Sequence, residues 1–279
     1  MSRTWVDKTK FILLTTQRSG STFIRLWLNS HKNIRCHSEV FLKKYSFSDG
    51  FQSYLLATKK GRDLSTILQT DGYGEIILEY LDELYNNPAF SAPWTDMTKD
   101  IMREYQPNRN FIMEKAVGFH LMYDQLANCI ALQRWITSQN VFILHLVRQN
   151  ELKKLISRKF SRKTRIYHSF EIPQNFSPKK VHLDPKKILT QLSKIVGEKE
   201  GIKKMFRDNP SLEITYELFF SDYYQESAKV FNFLQIKRGK TEFPKYLNKI
   251  LPDTLEDLIE NYNEIAIALK GTPYDKFLC

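Results

Sequence analysis

Residues 141–147 read VFILHLV, a run too short for a helix and apolar at odd and even positions alike except for one histidine. A strand of this composition must be covered on both faces, which places it inside a sheet with helices above and below. Comparable short runs recur at 10–16 (KFILLTT), 34–37, 111–117 and 212–217, separated by stretches with helical spacing. Strands alternating with helices over crossover-length connections predict an α/β fold: three layers, with a mostly parallel sheet flanked by helices. Ligands of such sheets lie outside the carboxyl ends of the strands, so the residues that follow each run are the ones to read for chemistry.

Helical spacing is predicted through Leu121, Leu126, Ile130, Leu132 and Ile136, and again over 150–160, 185–206, 222–234 and 254–269. Pro173, Pro178 and Pro185 make 170–185 an irregular loop. Residues 43–110 alternate helical patches with turn signals such as DGYG, NNPAF and SAPW, and read as a mainly helical insertion. With 10 Gly and 10 Pro there is little material for a long linker, so 1–279 is taken as a single domain.

Composition narrows the setting. No run approaches the ~18 apolar residues of a membrane span, and residues 1–10 lack the apolar stretch of a signal peptide, so a cytoplasmic protein is expected. Cys36, Cys129 and Cys279 are odd in number and far apart, which fits thiols rather than a disulfide framework. The six histidines include no i, i+4 pair of the kind that binds zinc on a helix, so no metal is expected. A net charge of +11 favours an anionic partner without saying which.

Two segments narrow that choice. The first run is followed by Gln17-Arg18-Ser19-Gly20-Ser21-Thr22 and then by Phe23, Leu26 and Trp27 at helical intervals, so a tight loop opens a helix at the carboxyl end of a strand. Backbone N–H groups and the positive end of the helix dipole converge there, Gly20 permits close approach, the hydroxyls of Ser19, Ser21 and Thr22 donate, and Arg18 supplies a cation: a phosphate site. The Walker A pattern with its lysine is absent, which suits one 5′-phosphate better than a triphosphate. The second segment begins at Arg148, directly after the strongest strand run, and continues QNELKKLIS to Ser157. Asn150, Lys153 or Lys154, and Ser157 share a helical face, and residues 148–165 carry eight basic side chains against a single acid, Glu151. A second phosphate at Arg148 and Ser157 accounts for a strand-end arginine in such a field.

A strand–QRSGST–helix loop with a downstream strand–R-x-N-x-L-x-x-x-x-S helix resembles the sulfotransferases that use 3′-phosphoadenosine 5′-phosphosulfate (PAPS). The similarity continues in HKNIRCHSEVF (31–41), VGFHLMYDQL (117–126), ITYE (214–217) and the stretch LIENYNEI to LKGTPY (258–274), and is greatest to bacterial carbohydrate sulfotransferases of the nodulation-factor and trehalose type. The resemblance implies a P-loop-like sulfotransferase fold, PAPS as donor without a metal, and a hydroxylated acceptor, a sugar or glycolipid. It further implies that Arg18, Ser19, Gly20, Ser21 and Thr22 hold the 5′-phosphosulfate and that Arg148 and Ser157 hold the 3′-phosphate. Lys249 falls near a further basic cofactor position. No specific nucleic-acid partner is implied, and a homodimer is left open. Where relatives read GFKL this chain has Gly118-Phe119-His120-Leu121, which puts His120 in the place of a lysine.

Sulfuryl transfer needs a base for the acceptor hydroxyl and cations where charge grows on the departing phosphate. Arg18 suits the second task. Glu39 follows the second strand run and is the candidate base, on the expectation that this strand lies beside the first; the resemblance puts a glutamate in this role. His120 and His37 compete with it, His120 also as a sulfonate contact. Lys115 could reach the sulfonate or simply pair with Glu114, Tyr216 and Glu217 read as structural, and aromatics in 41–54 could line an acceptor pocket. Two other readings share parts of the pattern: a P-loop-like nucleotide kinase, which lacks its lysine here, and a basic nucleic-acid-binding module, for which no motif is present.

Overall fold

Among the described residues, five strands form one all-parallel sheet in the order β2-β3-β1-β4-β5, with β1 at Thr9–Thr15, β2 at Ile34–Glu39, β3 at Ala116–Met122, β4 at Phe142–Val147 and β5 at Ser211–Thr215. The structure, a computed structural model, describes residues 8–42, 50–58, 74–87, 114–127, 129–166, 179–244, 251 and 254–278. The helices among them are α1 (Ser21–Ser30), α2 (Phe51–Ala57), α3 (Gly74–Asn86), α4 (Tyr123–Ala127), α5 (Ile130–Ser138), α6 (Glu151–Thr164), α7 (Ile188–Met205), α8 (Tyr216–Ser221), α9 (Tyr223–Phe233) and α10 (Tyr262–Leu269). This is the expected α/β architecture, a parallel sheet flanked by helices. Most of 43–110 lies outside the described residues; α2 and α3 are the helical parts of it that are described.

The chain divides into two compact units. The first holds the whole sheet with α1 to α5, α8 and α9; the second comprises Gln17–Ser19, Arg148–Met205 and Lys245–Cys279, and so contains α6, α7 and α10. In the first unit the central strands are sealed on both faces: all of β3, and Phe11, Ile12, Leu13 and Leu14 of β1, are buried. The Thr15 hydroxyl donates to the Leu146 carbonyl at 2.7 Å, tying the carboxyl ends of β1 and β4 together. Connections leave these two adjacent strands toward opposite edges of the sheet, to β2 from β1 and to β5 from β4, which is the arrangement that opens a ligand crevice in doubly wound sheets. The second unit has its own core, in which Leu152, Ile156 and Phe160 of α6 meet Leu192 of α7 and Ile265 and Leu269 of α10.

Three boundaries differ from the sequence reading. The third strand is not 111–117 but Ala116–Met122, because the apolar run continues through Phe119 and Leu121 and is buried throughout; 111–113 lie outside the described residues. Leu121 therefore belongs to a strand, and helical geometry starts only at Tyr123. Leu255, Leu258 and Ile259 have helix-like spacing and are buried, yet Val181 N–H donates to the Leu258 carbonyl at 2.8 Å and Glu260 N–H to the Val181 carbonyl at 3.2 Å. That bridge draws the backbone into turns, and the helix expected from 254 begins at Tyr262.

The expected adjacency of the first two strands also fails, since β3 lies between them. The physical reason is composition: Ala116–Met122 is apolar apart from His120 and takes the interior position, whereas β2 carries Arg35, His37, Ser38 and Glu39 and takes the edge.

Candidate active site

The loop after β1 turns through two left-handed residues, Arg18 (φ 68°) and Gly20 (φ 86°), before α1 begins at Ser21. Gly20 is the N-cap and offers no side chain to the first-turn amides, and that turn holds no acidic residue. The N–H groups of Ser21, Thr22 and Phe23 thus face out of a helix N-terminus with no carbonyl partner inside the helix, the geometry that accepts an anion. Gly20 is required twice over: a Cβ there would sit in the left-handed region and 2.2 Å from Cε2 of Tyr216, the first residue of α8. Tyr216 and Glu217, read from sequence at the end of a strand, open this helix instead. Gly20→Ala should therefore lower the unfolding free energy by about 1–2 kcal/mol from backbone strain alone, read by urea denaturation. An unchanged midpoint would mean the loop does not hold this conformation.

Within the second unit, residues 130 and 139 positions apart in sequence meet. Arg18 Nε donates to Ser157 Oγ at 3.0 Å, and Arg148 Nη1 donates to the Arg18 carbonyl at 3.4 Å. Ser157 and its neighbours on α6 are positioned by the helix start: the Asn150 side chain caps it by accepting Lys153 N–H at 2.9 Å and donates to the Phe277 carbonyl at 2.8 Å. Asn150 is thereby a cap rather than an open anion ligand. Lys154 is buried and paired with Glu151 one turn back, and burial pulls its ammonium below the usual lysine range. The residues of the two phosphate motifs that approach one another here are Arg18, Arg148 and Ser157.

In the first unit, Glu39 and His120 lie together. The register of β2 against β3 shifts between His37 and Glu39, an irregularity that sets Glu39 opposite His120. His120 Nδ1 is 3.7 Å from Glu39 Oε1, and Gln125 Nε2 donates to Glu39 Oε2 at 3.3 Å. The Gln125 amide is itself oriented, since its Oε1 accepts Met122 N–H at 3.0 Å. Burial, reinforced by the Asp124 carboxylate and opposed by Arg25 and the Gln125 hydrogen bond, pushes Glu39 up to about 7. Burial and then Arg25 push His120 down to about 3, so its imidazole is neutral at physiological pH. The His120 Nε2 is buried with no hydrogen-bond partner among the described residues, which leaves it open to a water or a ligand. A carboxyl that titrates near 7 beside a neutral imidazole can take a proton from a hydroxyl and let the ring bond a polar ligand.

Sequence reasoning missed Arg25, Asp124 and Gln125. Arg25 was the discoverable one: it is the single charged residue of α1, and it is buried. Asp124 and Gln125 carried no signal, because their place depends on where β3 ends. Lys115 precedes β3 at the amino edge of the sheet, away from the end that carries Glu39, and Glu114 pairs with Arg35 at 2.7 Å rather than with it. His37 is buried within β2. Lys249 lies outside the described residues. Cys36 and Cys129 are buried thiols, and Cys279 is outside the described residues. Among the described residues no cluster of three His, Cys, Asp or Glu could hold a metal, and no helix is long and apolar enough to cross a membrane.

No protein-family model matches the chain, and no curated protein matches it. Among solved structures it is similar to a sulfotransferase domain from the Synechococcus PCC 7002 olefin synthase, at 15% identity and a TM-score of 0.40 over 97% of this chain and 90% of that one. It is also similar to a sulfotransferase domain from the curacin biosynthetic pathway, at 12% identity and a TM-score of 0.39 over 83% of this chain and 75% of that one. Likeness this distant leaves the reading of the site to its own residues.

Proposed function

We propose that this chain is a sulfotransferase that moves a sulfuryl group from PAPS to a hydroxyl of a carbohydrate or glycolipid acceptor, with residues 1–279 forming one catalytic domain. The observation that supports the reading is the meeting of Arg18, Arg148 and Ser157, residues of two segments that the sequence reading took as separate phosphate sites. The donor types suit the cofactor: guanidinium and hydroxyl groups at Arg18, Arg148 and Ser157, and separately the amides that open α1, are groups that bind phosphate.

Arg18, Ser19, Gly20, Ser21 and Thr22 would hold the 5′-phosphosulfate, and Arg148 with Ser157 the 3′-phosphate. Bound there, PAPS supplies an activated sulfuryl group. Arg18 and the amides that open α1 are fixed dipoles and charge for the negative charge that develops as the S–O bond to the phosphate breaks. Glu39 removes the acceptor hydroxyl proton, Gln125 holds the carboxylate in register for it, and neutral His120 offers Nε2 to an oxygen of the ligand.

Calorimetry with 3′-phosphoadenosine 5′-phosphate, in the presence and absence of a chelator, tests the reading. Equal binding under both conditions is the expected result. Failure to bind in either sinks the proposal, and binding only with Mg²⁺ moves the assignment to a kinase-like site.

A further inference from the structure

We propose that a basic cavity at the amino-terminal edge of the sheet, within the first unit, binds a small polyanion carrying two or more phosphate or sulfate groups. The cavity is about 540 Å³, within the range of small-molecule sites, and five cations line it, Lys32, Lys115, Lys237, Arg238 and Lys240, against one carboxylate, Glu242. It is separate from the Glu39 end of the sheet. Lys115 directly precedes β3 and His120 is the fifth residue of that strand, so roughly 17 Å of extended chain divides them.

The cations come from three distant stretches of sequence, and the fold fixes the backbone of each. Parallel pairing of β2 and β3 brings Asn33 and Lys115 together, where Lys115 N–H donates to the Asn33 carbonyl at 2.8 Å. The stretch 237–242 is tied down by Glu242 N–H donating to Ser30 Oγ at 2.9 Å and by the Tyr223 and Thr241 hydroxyls at 2.6 Å. Gly239 lies so close to the buried His31 ring that a Cβ would come within 2.4 Å of Nε2. The ring is fixed in turn, since its Nδ1 accepts Asn33 N–H at 3.2 Å. Arg238 is stacked over Tyr224, 3.7 Å from the ring centroid.

Like charges gathered on a rigid wall repel one another, and an anion relieves that repulsion. A single negative charge gains little at physiological salt, where charges are screened within ~8 Å, whereas a ligand with several charges in one cavity engages several cations at once. Nucleic acid would instead call for a basic stripe along a surface. Lys240 has Glu242 at 3.7 Å, so Lys32, Lys115, Lys237 and Arg238 carry most of the proposed recognition.

The test is calorimetry of the full chain at ~0.15 M salt with sodium tripolyphosphate, with inorganic sulfate, with a trisulfated disaccharide and with a single-stranded oligonucleotide. Tripolyphosphate or the disaccharide, whichever source of charge the cavity prefers, should bind clearly more tightly than sulfate. Lys115→Glu and Lys237→Glu should each weaken that binding at least fivefold without changing the melting temperature. Gly239→Ala removes no charge, yet should weaken it as well, because the added methyl lifts the 237–242 wall off His31; if that variant unfolds, the two lysine reversals decide. Binding unchanged in both reversals, sulfate binding as tightly as the polyanions, or an oligonucleotide that binds far more tightly through the same lysines would each overturn the proposal.

Discussion

On the proposed function, Glu39→Gln should lower the rate of sulfuryl transfer by roughly 10²–10⁴ while leaving affinity for 3′-phosphoadenosine 5′-phosphate nearly intact. The substitution keeps the shape of the side chain and removes its capacity to accept a proton. With Glu39 titrating at about 7, the wild-type rate should rise with pH through that value and level off above it, because the carboxylate is the basic form. His120→Ala should cost less. An imidazole whose conjugate acid titrates at about 3 is a weak proton acceptor, so magnitude favours the carboxylate between these two neighbours. Single-turnover rates with labelled PAPS and a responsive acceptor decide; a Glu39→Gln enzyme of near-normal rate beside a dead His120→Ala enzyme would reverse the assignment.

The same pair has a signature in stability that needs no substrate. Glu39 has a folded pKa near 7, above its ordinary value of 4.5, so its contribution is complete below 4.5 and is lost as pH rises through about 7. His120 runs the other way: folded near 3 against an ordinary 6.5, its contribution is complete above 6.5 and is lost as pH falls through about 3. Between 4.5 and 6.5 the two slopes oppose, each at most about 1.4 kcal/mol per pH unit. The wild type is thus nearly flat there as far as this pair is concerned, Glu39→Gln loses stability as pH falls, and His120→Ala loses stability as pH rises. Asp124, Arg25 and Gln125 surround the pair and are unchanged in both variants.

The parallel sheet was legible because VFILHLV and KFILLTT are apolar on both faces, a local property that survives folding. The loop from Arg18 to Thr22 was legible for the same reason: a glycine, hydroxyls and a helix start are adjacent in sequence. Strand order was not, because the place of β3 between β1 and β2 is decided by competition among three strands for the buried interior, which no single run records. Glu39 was proposed through an expected adjacency that the sheet does not have, and its neighbours Gln125 and Arg25 depend on a register shift and on burial. The end of β3 misled because Leu121 satisfies both a strand and a helix spacing.

If Arg148 grips the 3′-phosphate as proposed, Arg148→Ala should weaken binding of 3′-phosphoadenosine 5′-phosphate by roughly 10- to 150-fold, the equivalent of about 1.5–3 kcal/mol for one charge-assisted contact to phosphate. Adenosine 5′-phosphosulfate lacks the 3′-phosphate and should lose far less. It should lose something, because Arg148 also donates to the Arg18 carbonyl and helps hold the 5′ loop in its left-handed turn, but at 3.4 Å that bond is long and its share is small. The excess loss for the 3′-phosphorylated nucleotide is therefore the informative quantity. Arg148→Lys should fall between, keeping the charge and losing the planar fork. Ser157→Ala, which also removes the acceptor of Arg18 Nε, should show coupling with Arg148→Ala in a double-mutant cycle if both grip one phosphate. Equal losses for the two nucleotides would make Arg148 a support for the loop and leave the 3′-phosphate to another cation.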